Sequence, residues 1–188
     1  MNRKSVFIVM TLILSVALAT PLFAAGAQEA GEKTIIFNVS SETNGYDPRS
    51  SVGLDQQMVI QQAFEGLVKF NEDGAIVPGQ AESWEKLDGG SRYIFHLRDD
   101  IFWSDGEPVT AGDFVYAWRT ALDPEFASSS ANLLYPMKNA QAILEDGADA
   151  DSLGARAIDV RTLEVELESA TPFFLSELTH GTWFPVRE

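Results

Sequence analysis

The segment from Phe95 to Ser128 constrains the fold most tightly, because a strand, a turn and a capped helix follow one another there with almost no connecting sequence. Around its start, Tyr93, Phe95 and Leu97 occupy every second position, and this period-two pattern predicts a half-buried strand. The dipeptide Asp105-Gly106 then predicts a tight turn, since glycine adopts positive φ without steric cost.

A helix is predicted directly after this turn. Thr110 and Asp113 have the spacing of a capping box, with aspartate in the place that glutamate usually takes. One apolar stripe follows at helical spacing and consists of Phe114, Val115, Trp118 and Leu122. The dipeptide Asp123-Pro124 is expected to end the helix. These patterns specify local structure and, alone, no chemistry.

The first 27 residues have the three parts of a secretory signal peptide. Arg3 and Lys4 form a positive start, residues 6–19 an apolar core, and Ala24, Ala25 and Ala27 offer alternative cleavage points. The core is short for a bilayer span, which needs about 20 apolar residues. We therefore expect a cleaved signal over residues 1–27 and a disordered leader over residues 28–33, rather than an uncleaved anchor and stable membrane insertion.

Composition narrows the function classes. The sequence has no cysteine, so the fold is expected to rest on its apolar core, and no cysteine is present to carry a lipid anchor. We therefore expect a soluble periplasmic protein. A net charge of −15 argues against binding to nucleic acid or to anionic lipid, both of which depend on basic side chains.

The remaining patterns mix hairpins with helices and predict an α+β fold. Two hairpins are expected, Val68 to Phe70 with Ala75 to Val77, and Trp84 to Leu87 with Arg92 to Leu97. Single strands are expected at residues 34–39 and around Leu163, Val165 and Leu167. Helices are expected at residues 55–64, with Met58, Val59, Gln62 and Ala63 facing the core, at residues 140–144, and after Thr171-Pro172. The four tryptophans lie in alternating or helical patterns, which favour core packing over carbohydrate stacking; they are Trp84, Trp103, Trp118 and Trp183.

The motif FHLRDDIFWSDGEPVTAGDFVYAWRTALDP closely resembles a segment shared by periplasmic oligopeptide-binding proteins, the family-5 solute-binding receptors of peptide ABC importers. Further matches occur in the same order at near-constant spacing: Asp47-Pro48, Phe64 to Leu67, Pro78 to Trp84, Ala157 to Asp159 and Thr162 to Val165. The resemblance covers roughly residues 34–188. It implies the N-terminal portion of a two-lobed, type II periplasmic binding protein of the family-5 cluster.

The resemblance also implies a domain organisation. Residues 34–64 would open ligand-binding lobe I, and residues 65–188 would form the extension domain, ending where the family's chain returns to lobe I. Family members are considerably longer than this sequence, so the resemblance implies an N-terminal fragment of such a receptor.

The implied function is capture of oligopeptides by a monomeric receptor and their delivery to the membrane subunits of an ABC importer, with no cofactor and no covalent step. Main-chain pairing with the peptide and closure of two lobes would suffice. The family's contact positions correspond to Val52, Gly53, Leu54 and Ser130. The family's well-studied peptide binder has an acid at the position of Val52 and a tyrosine at that of Ser130, so only main-chain contacts are expected to persist; alternatively, Val52 and Ser130 are loop residues without a ligand contact.

Other chemistries have weaker signals. The carboxylates Asp99, Asp100, Asp105 and Glu107 are explained by turns and surface placement more simply than by catalysis. His96 and His180 lack the spacing of a metal site, and no nucleotide-binding glycine motif is present. Two alternatives stay open: a family-5 receptor for a metal chelate, sugar or haem, and a stand-alone extracytoplasmic interaction or structural domain.

Overall fold

The computed structural model describes residue 38, residues 45–50 and residues 53–188. The helices and strands all lie in the compact unit Val39–Glu188. Its helices are α1 (Leu54–Ala63), α2 (Ala111–Ala121), α3 (Ala140–Asp146) and α4 (Phe174–Glu177). Its strands are β1 (Val68–Phe70), β2 (Ile76–Pro78), β3 (Ala81–Leu87), β4 (Arg92–Leu97), β5 (Ala155–Ala157) and β6 (Thr162–Glu166). The expected signal, leader and first strand lie outside the described residues, except for residue 38 of that strand, and so does Val52.

An antiparallel sheet of four strands in the order β3-β4-β6-β5 organises the fold. Phe95 pairs with Trp84 on one side and with Leu163 on the other, which places β4 inside the sheet. β1 and β2 form a separate antiparallel hairpin. Both predicted hairpins are thus confirmed, with the second strand of the first one displaced by a residue to Ile76–Pro78. The mixed α+β architecture is confirmed with them.

The period-two pattern of β4 and β6 buries one face of this sheet. Tyr93, Phe95 and Leu97 are at most 3% exposed, and Leu163 and Val165 are fully buried. Removal of these side chains from water is the main favourable contribution to folding, at about 1.5–3 kcal/mol for each large apolar side chain.

Helix α2 covers the buried face and begins as the sequence predicts. The Asp113 N–H donates to Thr110 Oγ1 (3.3 Å), and the Thr110 N–H donates to Asp113 Oδ2 (2.7 Å), which completes a capping box. Phe114, Trp118 and Leu122 are fully buried beneath the helix.

Two of the four tryptophans form the centre of the core. Trp118 Nε1 donates to the carbonyl oxygen of Trp183 (3.1 Å), and the two indoles meet edge to face with centroids 5.6 Å apart. Trp84 and Trp103 are partly buried and pack against the same core. Core packing, rather than carbohydrate stacking, is confirmed for Trp118 and Trp183.

The buried face predicted for α1 is wrong. Met58, Gln62 and Ala63 are exposed, and Ile60 is the buried residue of the helix. The reason is that α1 lies against the turn at Gly181: Gln57 Oε1 accepts the Gly181 N–H (3.0 Å), and Ile60 lies on the same side, three residues on.

The helix start predicted at Thr171-Pro172 is also wrong. The Thr171 hydroxyl donates to the Ser169 carbonyl (3.1 Å) instead of capping a helix, and α4 begins at Phe174. The Phe174 N–H donates to the Thr171 carbonyl (3.2 Å), so a turn occupies this position. Within the described residues, no helix has the length and apolar character needed to cross a bilayer.

Candidate ligand-binding site

Gly53 and Leu54 lie at the start of α1. Gly53 is the N-cap, with extended backbone angles (φ −102°, ψ 146°), and its carbonyl accepts the Gln57 N–H (2.9 Å). Leu54 is the first helical residue, and 86% of it is exposed. An apolar side chain this exposed at a helix start is available for contact with a ligand.

Ser130, by contrast, is buried, with 3% of its surface exposed. Its hydroxyl accepts from Thr182 Oγ1 (3.0 Å) and donates to the Arg49 carbonyl (3.1 Å). The Ser130 N–H also donates to Ser128 Oγ (3.2 Å), and the Ser130 carbonyl accepts the Leu133 N–H (3.0 Å), so the hydroxyl and the main chain of this residue are both engaged inside the protein.

Hydrogen bonds join the two segments that hold these residues. Ser129 Oγ donates to the Ser50 carbonyl (3.1 Å), and the Ser129 N–H donates to Ser50 Oγ (3.3 Å). The Ser128 hydroxyl donates to the Arg49 carbonyl, as Ser130 does. The turn Pro48–Ser50, which precedes Gly53, is therefore fixed against the segment Ser128–Ser130, although the bonded residues are 79 to 81 positions apart in sequence.

An ion pair stabilises the turn itself. Arg49 Nε donates to Asp47 Oδ1 (3.0 Å) and a terminal nitrogen of Arg49 to Asp47 Oδ2 (2.7 Å). Its guanidinium lies 4.3 Å from the centroid of the Phe126 ring. Burial opposes ionisation of Asp47, but the hydrogen bonds and charge of Arg49 outweigh it and hold the pKa of this carboxyl below its usual value.

A third segment, the 3-10 turn Gly181–Trp183, supports both others. Its Gly181 N–H donates to Gln57 Oε1 of α1, and the hydroxyl of Thr182, which is fully buried, donates to Ser130 Oγ. His180 precedes the turn, and burial lowers the pKa of its imidazole.

Four residues of the junction were not predicted from the sequence: Arg49, Ser128, Ser129 and Thr182. An arginine directly after Asp-Pro can fold back onto the aspartate, and a run of hydroxyl side chains can cap a neighbouring turn. Both signals are local, and neither identifies a partner 79 residues away.

Comparison with known proteins bears on these segments. Residues 75–186 match the family model described as bacterial extracellular solute-binding proteins, family 5 middle. The chain is 43% identical over 180 residues to the probable deoxycholate-binding periplasmic protein YgiS of Escherichia coli, covering 93% of this chain and 34% of that protein. It is 40% identical over 174 residues to the periplasmic oligopeptide-binding protein OppA of Escherichia coli, covering 92% of this chain and 32% of that protein.

A solved structure has the same fold. The structure of the Escherichia coli murein tripeptide binding protein MppA superposes on this chain with a TM-score of 0.76 at 41% identity, covering 79% of this chain and 30% of that one. This chain belongs to family 5 of the bacterial extracellular solute-binding proteins. It spans about a third of the length of the curated relatives described above.

Carboxylates elsewhere on this family-5 chain take part in surface ion pairs. Asp100 lies 3.2 Å from Arg98 Nε, Asp99 lies 3.7 Å from Arg161, and Asp105 pairs with Arg187. Among the described residues, no group of three or more His, Asp or Glu side chains is arranged to hold a metal ion.

A groove of about 1030 Å³ lies between the end of α1, the β1–β2 hairpin and the loop after β4. Gln80 and Arg98 are among the residues that line it, and Arg98 is held by its ion pair with Asp100. Gly53, Leu54 and Ser130 do not line it. The groove and the candidate site of this family-5 chain are therefore different places.

Proposed function

We propose that this chain carries ligand-capturing segments of a periplasmic receptor that takes up oligopeptides and delivers them to the membrane subunits of an ABC importer. Residues 34–64 would open lobe I, and residues 65–188 would form the extension domain. The observation that carries the proposal is the hydrogen-bonded junction between the turn before Gly53 and the segment Ser128–Ser130. Family membership supports it, together with the names of the relatives OppA and MppA.

The proposed mechanism is main-chain capture. Strand addition requires extended backbone on the receptor, and Gly53 has extended angles. The hydroxyls of Ser128 and Ser130 are already engaged with the Arg49 carbonyl, and the N–H groups of Ser129 and Ser130 are bonded as well, so this segment would offer its main-chain carbonyl oxygens. Recognition of this kind accepts many peptide sequences and needs no reactive group, so the receptor would act as a monomer without catalysis, cofactor or nucleic acid.

A second candidate is an amphipathic ring compound that bears a carboxylate. The observation that favours it is the relative YgiS, which is named as probably deoxycholate-binding. Apolar side chains near the junction are also exposed: Leu54 at 86%, Tyr46 at 50% and Met58 at 48%. Such side chains can pack against a rigid ring system and gain about 25 cal/mol per Å² of apolar surface removed from water.

Calorimetric titration of the full chain distinguishes the peptide proposal from the second candidate. We expect trialanine and trilysine to bind with similar affinity, and a trialanine with N-methylated peptide bonds to bind at least about tenfold more weakly, because it has lost main-chain donors. Deoxycholate is titrated in parallel below its micellar concentration.

Two variants sharpen the result. Leu54→Ser should weaken binding of deoxycholate by about tenfold while changing tripeptide affinity little, because it removes an exposed apolar contact. Val160→Ser is the matched control, since Val160 is also exposed (63%) and lies between β5 and β6, outside the candidate site. Selective binding of deoxycholate would replace the peptide proposal, and absence of binding by either class would favour a structural domain. Cleaved peptide in the titration cell, detected by mass spectrometry, would contradict a receptor without catalysis.

A further inference from the structure

Arg49 contacts both halves of the candidate site. Its side chain pairs with Asp47 through two nitrogens, and its guanidinium lies over Phe126, in the turn that follows α2. Its carbonyl accepts hydroxyls from Ser128 and Ser130. One residue therefore joins its own turn to the opposite segment through side chain and main chain together.

Arginine suits this place better than another cation. A planar guanidinium forms a two-point pair with a carboxylate and stacks on an aromatic ring at the same time, which a lysine ammonium cannot do. The side chain of Arg49 is only 16% exposed, so water competes weakly for these contacts. The hydrogen bond to Asp47 raises the pKa of Arg49 further, which keeps the pair charged.

We propose that Arg49 is a positioning residue that fixes the spacing between the ligand loop at Gly53–Leu54 and the segment Ser128–Ser130. The effect of Arg49 on ligand affinity rests on the proposed function. Whether Arg49 fixes the junction can be measured without a ligand.

The test is residue-resolved amide hydrogen exchange on the full chain. Each half of the junction contains bonded amides: Ser50 and Gln57 on one side, Ser129 and Ser130 on the other. Arg49→Lys keeps the charge but loses the two-point pair and the stacked plane. We expect exchange at these four amides to rise together by about tenfold.

Controls separate positioning from general stability. Arg92→Lys is matched, because Arg92 pairs with Asp88 (2.7 Å) and Glu164 (3.4 Å) on the sheet and not at the junction. It should leave all four junction amides unchanged. Phe126→Leu removes the ring alone and should raise exchange at the same amides to a smaller degree. The proposal is overturned if Arg49→Lys changes only Ser50, or if the amides of Phe95 and Val165 in the sheet accelerate equally.

Affinity supplies the second measurement. If wild-type chain binds trialanine, Arg49→Lys should weaken binding by about tenfold and Arg92→Lys should not. Unchanged affinity in Arg49→Lys would overturn the positioning role. If wild-type chain binds neither trialanine nor deoxycholate, the proposed function fails for this chain, and the exchange measurement alone decides whether Arg49 fixes the junction.

Discussion

His180 shows how a single buried side chain couples the turn Gly181–Trp183 to pH. The Thr182 N–H donates to Nδ1 of the imidazole (3.3 Å), so Nδ1 must carry a lone pair and the ring must be neutral. Protonation of Nδ1 would remove the acceptor of the Thr182 N–H and leave Thr182 Oγ1, at 3.1 Å, as the partner of the new donor. Burial also lowers the pKa of His180 below its usual 6.5.

The direction in which stability changes with pH follows from this lowered pKa. Because the folded chain binds the proton more weakly than the unfolded chain does, the contribution of neutral His180 is complete above about pH 6.5 and is lost as pH falls through the lower folded pKa. Urea unfolding between pH 7.5 and 5 should show this loss. His180→Asn keeps an acceptor for the Thr182 N–H but does not titrate, so its stability should fall less over that range. Parallel curves for the two chains would contradict the assignment.

A second residue-scale prediction concerns the Trp118–Trp183 contact. Trp118→Phe leaves the buried carbonyl of Trp183 without its donor and opens a small gap in the core, which together should cost about 2–4 kcal/mol of unfolding free energy. Trp84→Phe, at a partly buried position, should cost clearly less in the same urea titration.

Among the elements, α2 follows its sequence closely because its start is determined locally. Thr110 and Asp113 satisfy each other's N–H groups, and the apolar stripe behind them faces the sheet. For α1 the apolar pattern predicted the wrong buried face, because Ile60 and Gln57 contact a turn that lies more than 100 residues later in the sequence. The junction at Ser128–Ser130 was not predicted for the same reason. A run of hydroxyl side chains indicates that they cap main-chain groups, but it does not identify the segment to which those groups belong.

The capping box gives an element-scale prediction. Thr110→Ala should lower the unfolding free energy by about 1 kcal/mol, because the N–H of Asp113 loses its acceptor at the start of α2. Thr110→Ser retains that acceptor and should recover most of the loss. An alanine variant as stable as wild type would mean that water replaces the cap without cost.

At the scale of the whole molecule, the family motifs identified the architecture, while the net charge of −15 sets how the folded state responds to salt. Many of the acids pair with arginine or lysine, but acidic side chains outnumber basic ones by 28 to 13. Self-repulsion of a compact acidic chain is relieved when ions screen it. Raising sodium chloride from 20 to 200 mM should therefore raise the thermal midpoint. A falling midpoint would show that the surface ion pairs outweigh the repulsion.

The position of β4 inside the sheet has a consequence for the timing of folding. β3 can pair with β4 as soon as both are synthesised, but the other edge of β4 pairs only with β6, at Thr162–Glu166. Because β4 and β6 are far apart in sequence, their pairing carries a loop-closure cost, and the sheet cannot be completed before β6 has been synthesised. Until then, the second edge of β4 exposes unpaired N–H and C=O groups that a strand of another chain can pair with.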